Sequence, residues 1–212
     1  LSELSGKATM LEKMERHHLT HNPEMMKRAL QEVQRLEKEG WQFEAAEASF
    51  ALLVRRLLGT QKEFFTLKGF RVIAEKRGTD DVPLTEATVK LSVGGKEHLS
   101  ASEGDGPVNA LDSALRKALL PFYPNLGEVQ LADYKVRVIN PTAGTAAKVR
   151  VVIESRDRHE IWGTVGVSEN LIEASWRALV DSIVYKLMRD EDRAAEKAPA
   201  ARPAMEEIAR RL

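Results

Sequence analysis

The sequence predicts an α+β fold, with a helical linker subdomain followed by a duplicated βββα unit that favours a two-fold dimer. Three observations predict it. Apolar residues recur at helical spacing as far as residue 60, the period changes to two from Phe64 onward, and the order strand, strand, strand, helix occurs twice.

In the linker, Leu4, Met10, Leu11 and Met14 line one face of a short helix. Asn22-Pro23 then supplies a cap and a first-turn proline for a second helix carrying Met26, Leu30, Val33 and Leu36, which should stop at Gly40. A third helix is expected from Phe43 to Leu58, with Ala46, Phe50, Leu53, Val54 and Leu57 on one face and Gly59 as its stop.

The β-rich domain, residues 61–189, should hold two repeats, 64–120 and 130–188. Phe65, Leu67, Phe70, Val72 and Ala74 predict a strand broken near Gly69, and Thr85–Val93 a second strand. Gly94-Gly95 signals a two-residue hairpin leading into a third, Lys96–Ser102. The turn Gly104-Asp105-Gly106-Pro107 launches a helix with Val108, Leu111, Leu115 and Leu119 on one face. The order returns as strands over Leu131–Ile139, Ala147–Ile153 and Ile161–Val167, then a helix over Asn170–Met188 with Ile172, Trp176, Leu179, Ile183 and Leu187 inward. Aligning the halves matches Ala101-Ser102-Glu103 with Val167-Ser168-Glu169 and Ala114-Leu115 with Ala178-Leu179. Residues 190–212 are rich in Glu, Arg, Ala and Pro, and are expected to form a mobile tail or a loosely attached helix.

Composition excludes several function classes. With 32 Lys+Arg against 32 Asp+Glu the formal net charge is +0, so no overall field draws the chain to nucleic acid. No window approaches the roughly 20 apolar residues of a spanning helix, and Leu1-Ser2-Glu3-Leu4 lacks the pattern of a signal peptide. The absence of Cys rules out thiol nucleophiles, disulfides and Cys-based zinc sites, and suits a cytoplasmic location. Because the chain begins without Met, it is expected to be part of something longer.

Two groups of residues carry a family likeness. The linker segments Leu1-Ser2-Glu3-Leu4-Ser5-Gly6-Lys7 and Glu39-Gly40-Trp41-Gln42-Phe43-Glu44-Ala45-Ala46-Glu47-Ala48-Ser49-Phe50 resemble the region that follows the barrel in citramalate synthases. Gly104-Asp105-Gly106-Pro107-Val108-Asn109-Ala110, Leu131-Ala132-Asp133-Tyr134 and Trp162-Gly163-Thr164-Val165-Gly166-Val167-Ser168 are similar to the dimeric regulatory domain shared by α-isopropylmalate and citramalate synthases. The resemblance implies a parent enzyme that condenses acetyl-CoA with a 2-oxo acid, pyruvate in the citramalate branch, using a divalent metal in a barrel. A barrel takes roughly 200 residues. This chain has neither that strand–helix series nor the family's His-x-His pair, so no catalytic residue, metal or cofactor is expected in it.

The resemblance further implies a homodimer that binds a branched-chain amino acid, isoleucine or leucine, for feedback inhibition. Its effector residues would be Gly106, Val108 and Asn109 after the glycine turn, and Leu131, Tyr134 and Val138 on a strand. Thr145 and Ala147 in the following small-residue loop complete the set. On a strict strand Leu131 cannot share a face with Tyr134 and Val138, so a bend near Asp133 is required.

Plainer readings stand beside these. The glycine turn could be an ordinary strand-to-helix connection, Leu131 and Val138 could be core, and the domain could be a purely structural dimerisation unit. His17 and His21 lie one helical turn apart, but no third ligand joins them and with His18 they read as a solvated linker. His98 and His159 read as surface residues; Trp41, Trp162 and Trp176 read as packing residues, with Trp162 the candidate for a subunit contact.

Overall fold

The computed structural model of the protein describes residues 23–197. The first expected helix, the Asn22 cap, and His17, His18 and His21 lie outside the described residues. Helix α1 spans Pro23–Lys38 and helix α2 Glu47–Leu57, so α2 starts later than the apolar spacing suggested. The chain turns at Gly40, whose φ of 104° is left-handed and costs little only without a Cβ. There the Gly40 and Trp41 amides donate to the carbonyls of Glu37 and Leu36.

Two three-stranded antiparallel sheets follow. Strands β1 (Thr66–Glu75), β2 (Leu84–Val93) and β3 (Lys96–Gly104) form the first, in that order. Strands β4 (Gln130–Val138), β5 (Val149–Arg156) and β6 (Ile161–Ser168) form the second in the same order. Helix α3 (Pro107–Leu119) closes the first repeat and α4 (Leu171–Lys197) the second. Gly94 and Gly95, with φ of 56° and 81°, make the tight β2–β3 hairpin.

The ladder registers show the duplication directly. Val89 pairs with Phe70 and Ser100, and Ile153 pairs with Tyr134 and Thr164, so adding 64 to each number of the first sheet gives the second. Even the irregularity repeats: the register slips between Leu67 and Gly69 in β1 and between Leu131 and Asp133 in β4. This register corrects the sequence alignment at the strand ends. Ser102 corresponds to Gly166, and Gly104 to Ser168, two positions from the match read off the Ser-Glu dipeptides. The Ala114-Leu115 and Ala178-Leu179 match keeps the register.

One core joins both repeats. Ala87, Val89 and Leu91 of β2 meet Leu111, Leu115 and Leu119 of α3, while Val151 and Ile153 of β5 meet Trp176, Leu179 and Ile183 of α4, all buried in one cluster. Phe70 of the first repeat stacks on Trp176 of the second at 5.1 Å between ring centres. Trp162 is only 4% exposed; its ring packs near Tyr185 and its indole N–H donates to Ser182. The expected subunit contact therefore goes to the interior instead. His98 is likewise not a free surface residue, since its ring meets Phe122 at 4.5 Å.

Among the described residues, the linker covers the outer face of the second sheet and not that of the first. Phe43, Ala46, Phe50 and Val54 share a cluster with Val165 and Val167, which point away from α4. Gly163 permits this approach, because a Cβ there would overlap the carbonyl oxygen of Ala45. On the other face, a Cβ at Gly166 would overlap the carbonyl oxygen of Ala174 in α4. Strand β6 is thus packed on both faces, and its edge is closed too: the Val165 amide donates to Ser49 Oγ, 3.0 Å, which donates to buried Asp181, 2.7 Å. Burial pushes the Asp181 carboxyl up from its ordinary value, against the pull of Arg56 and the Ser49 hydroxyl.

Helix α4 continues past Met188 through Lys197, so the segment read as a tail begins as helix. Ion pairs hold these last turns: Arg55 with Asp192, Lys62 with Glu191, and Arg193 with Glu160. The remaining tail residues lie outside the described part.

Candidate functional site

Gly104, Gly106, Val108 and Asn109 build the start of α3. Gly104 is required sterically, since a Cβ there would lie 2.5 Å from the Ala110 nitrogen and the Asn109 Oδ1. Gly106 has an extended backbone and open space where its side chain would be, so it needs no glycine for strain and leaves the helix end accessible. Asn109 Oδ1 accepts the Asp105 amide, 3.2 Å, which fixes the loop. With Pro107 in the first turn, no side-chain cap and no acidic residue there, the first amides of α3 have no local acceptor. The same place in α4 is closed, because Asn170 Oδ1 accepts the Ile172 amide at 2.8 Å and the Glu173 amide at 3.2 Å.

Leu131, Tyr134 and Val138 lie on β4, where the bulge does what the alternation alone forbids. With Ala132 left out of the ladder, Leu131 pairs with Ser155, Tyr134 with Ile153 and Val138 with Val149, so all three take the α4-facing side. Leu131 is 40% exposed, Val136 46% and Val138 50%, because α4 lies over β5 and β6 and leaves β4 as an uncovered aliphatic row. Val136, absent from the expected set, belongs to this row, and its alternation with Tyr134 and Val138 is the sequence signal for it. Tyr134 anchors the row to α4. The Ser175 hydroxyl donates to the Leu171 carbonyl, 2.8 Å, so in the 2.8 Å bond between the two hydroxyls Tyr134 is the donor. That leaves the phenol oxygen able to accept.

Thr145 and Ala147 belong to the β4–β5 connection, whose 3-10 segment spans Pro141–Ala146 and bends at Gly144 with φ of 60°. Thr145 is exposed, while Ala147 is 7% exposed and precedes the strand that pairs with Val138. The structure therefore gathers Leu131, Tyr134, Val138 and Ala147 on the second repeat and Gly106, Val108 and Asn109 on the first. Among the described residues, no hydrogen bond joins the two groups. Three cavities of the described residues, of about 330, 440 and 380 Å3, are bounded by other side chains.

No group of three or more His, Asp or Glu side chains among the described residues is placed to hold a metal ion. No helix of the described residues is long and apolar enough to cross a membrane.

The arrangement defines a class: a duplicated βββα module with an open aliphatic strand face and an uncapped helix end. The chain belongs to the LeuA allosteric (dimerisation) domain family, whose profile matches residues 44–187. It is 55% identical over 194 residues to a (R)-citramalate synthase of Aquifex aeolicus, covering 91% of this chain and 37% of that protein. The corresponding enzyme of Geobacter sulfurreducens is 52% identical over 195 residues with the same coverage. A 2-isopropylmalate synthase of Aquifex aeolicus is 35% identical over 111 residues, 52% of this chain and 20% of that protein. The chain thus spans little more than a third of the length of the citramalate synthases it matches.

Proposed function

We propose that this chain is the regulatory part of a citramalate synthase, and that as a homodimer it binds a branched-chain amino acid for feedback inhibition. The observation that carries the reading is the uncovered row of Leu131, Val136 and Val138 beside a Tyr134 held by Ser175. Aliphatic side chains about half exposed in a row invite an apolar partner, and a branched aliphatic side chain is of matching chemistry. The polar groups suit an amino acid's other end. The phenol oxygen of Tyr134 can accept from an ammonium, and the unsatisfied amides at the start of α3 favour a carboxylate. The two groups sit on different repeats, so a second copy related by a two-fold axis can bring the α3 end of one protomer to the β4 row of the other. Isoleucine is the effector this reading prefers, since the resemblance is strongest to citramalate synthases.

The test is calorimetric titration of the chain with isoleucine, leucine and valine, with sedimentation run alongside. A dimer that binds isoleucine in preference to the other two is expected. A dimer that binds none of them leaves a structural dimerisation unit, and a monomer under all conditions removes the shared site.

A further inference from the structure

A second feature lies on the opposite face of β4. Where the linker crosses the outer side of the second sheet, a cavity of about 440 Å3 is lined in part by Gln42, Ala45, Lys135, Arg137, Arg150 and Val152. Arg137 and Arg150 are ladder partners, directly across from one another. Like charges so placed, with Cβ atoms roughly 5 Å apart, repel and weaken a sheet. Among the described residues neither has a carboxylate within ion-pair distance. Asp133 and Glu154 also line the cavity; Asp133 is tied to Lys135, whose charge Glu154 also faces, and neither carboxylate is paired with an arginine of the cavity. Arg150 is instead aimed by neutral acceptors: its Nε donates to the Gly40 carbonyl, 2.5 Å, and its Nη1 to Gln42 Oε1, 2.7 Å. Among the described residues, its Nη2 and the fork of Arg137 have no hydrogen-bond acceptor. Burial, and then the charge of Arg137, lower the Arg150 pKa from its ordinary value, as expected of a cation short of a counter-charge.

We propose that this cavity binds a small oxyanion, a phosphate or carboxylate group held between Arg137 and Arg150. Paired guanidinium forks match such groups in geometry and charge, and the volume is within the range of small-ligand pockets. A bound anion would relieve the repulsion within β4–β5. It would also join Gln42 and Gly40 of the linker to the second sheet through Arg150.

The experiment titrates the whole chain at constant ionic strength with inorganic phosphate and, separately, with succinate. Calorimetry and the arginine Nε–H resonances provide the readouts. Saturable binding in the millimolar range is expected for at least one probe, weakened about tenfold in Arg137→Gln and less in Arg137→Lys, which keeps the charge but loses the fork. Arg137 is exposed, and circular dichroism checks that both variants keep the fold. Saturation by phosphate alone assigns a phosphoryl ligand, and saturation by succinate alone a carboxylate. Binding that is unchanged in Arg137→Gln, or absent for both probes up to about 20 mM, overturns the proposal.

Discussion

Replacing Gly163 by Ala tests how firmly the linker is built into the second repeat. The added Cβ would overlap the Ala45 carbonyl oxygen and lie 3.0 Å from its carbon, with Ala46 Cα at 3.4 Å. Carbon pairs prefer about 3.5–4.0 Å, so the Phe43–Ala46 loop would have to retreat by at least about 0.5 Å, and further at the oxygen. It cannot retreat freely, because Phe43 and Ala46 are packed against Phe50, Val165 and Val167. Overpacking of this kind costs about 1–3 kcal/mol, which for a chain of this size lowers the melting temperature by roughly 2–12 °C. The cost should fall on the linker contact, so hydrogen exchange at the Val165 amide, which donates to Ser49, should accelerate. Gly69→Ala is the control: it lies in β1 with no atom within 4 Å of the added Cβ, and should be neutral or slightly stabilising. If Gly163→Ala melts with Gly69→Ala and keeps Val165 protected, the close approach of linker and sheet described above is wrong.

Further outcomes concern the effector face and the ion cluster. Val138→Phe should crowd the aliphatic row and weaken amino-acid binding by about 5–150-fold, the equivalent of about 1–3 kcal/mol, as read by calorimetry. Tyr134→Ala should weaken binding too, and in a full-length parent should relieve inhibition while leaving turnover largely intact; unchanged affinity in both folded variants would place the pocket elsewhere. Lys186→Met should cost about 3–5 kcal/mol in denaturant unfolding. It strips the nearer cation from the buried side chain of Asp157, 2.7 Å away, and from Asp190 at 2.8 Å, leaving them Arg193 at 3.6 and 3.5 Å. Burial works against the charge of Asp157, yet Lys186 and the His159 and Glu160 amides outweigh it and bring the carboxyl down to about 2. Its stabilisation is therefore complete above the ordinary carboxylate range and should fade as pH drops from about 4 toward 2; a wild-type stability curve flat over that window, or one matched by Lys186→Met, would contradict this.

The architecture was legible where pattern reflects packing. Alternation and the Gly94-Gly95 signal placed the strands, and the impossibility of Leu131 sharing a face with Tyr134 on a regular strand foretold the bulge. The strand-end alignment failed because a repeated Ser-Glu dipeptide is visible in sequence, whereas the need for glycine at 166 comes from the Ala174 carbonyl and exists only in three dimensions. The extent of α4 escaped for a similar reason. The last turns of α4 are held by charged pairs to Arg55, Lys62 and Glu160, while the sequence reading counted only apolar groups. The Arg137–Arg150 pair carries no motif and becomes visible only once the ladder register sets the two opposite each other.

The two repeats match residue for residue in their ladders, but they are loaded differently. Strand β6 is enclosed by α4 on one side, the linker on the other and Ser49 along its edge, whereas β3, its counterpart, is covered among the described residues by α3 on one face alone. A chain cut between Leu58 and Phe64 would bare Val165 and Val167 to water in the second repeat and take Ala48, Ala51 and Leu52 out of the shared core. Linker and second repeat should therefore melt together as one cooperative block. The two sheets, alike in register, therefore differ in what unfolding of the linker would expose: the outer face of the second loses its cover, and that of the first has none from the described linker to lose.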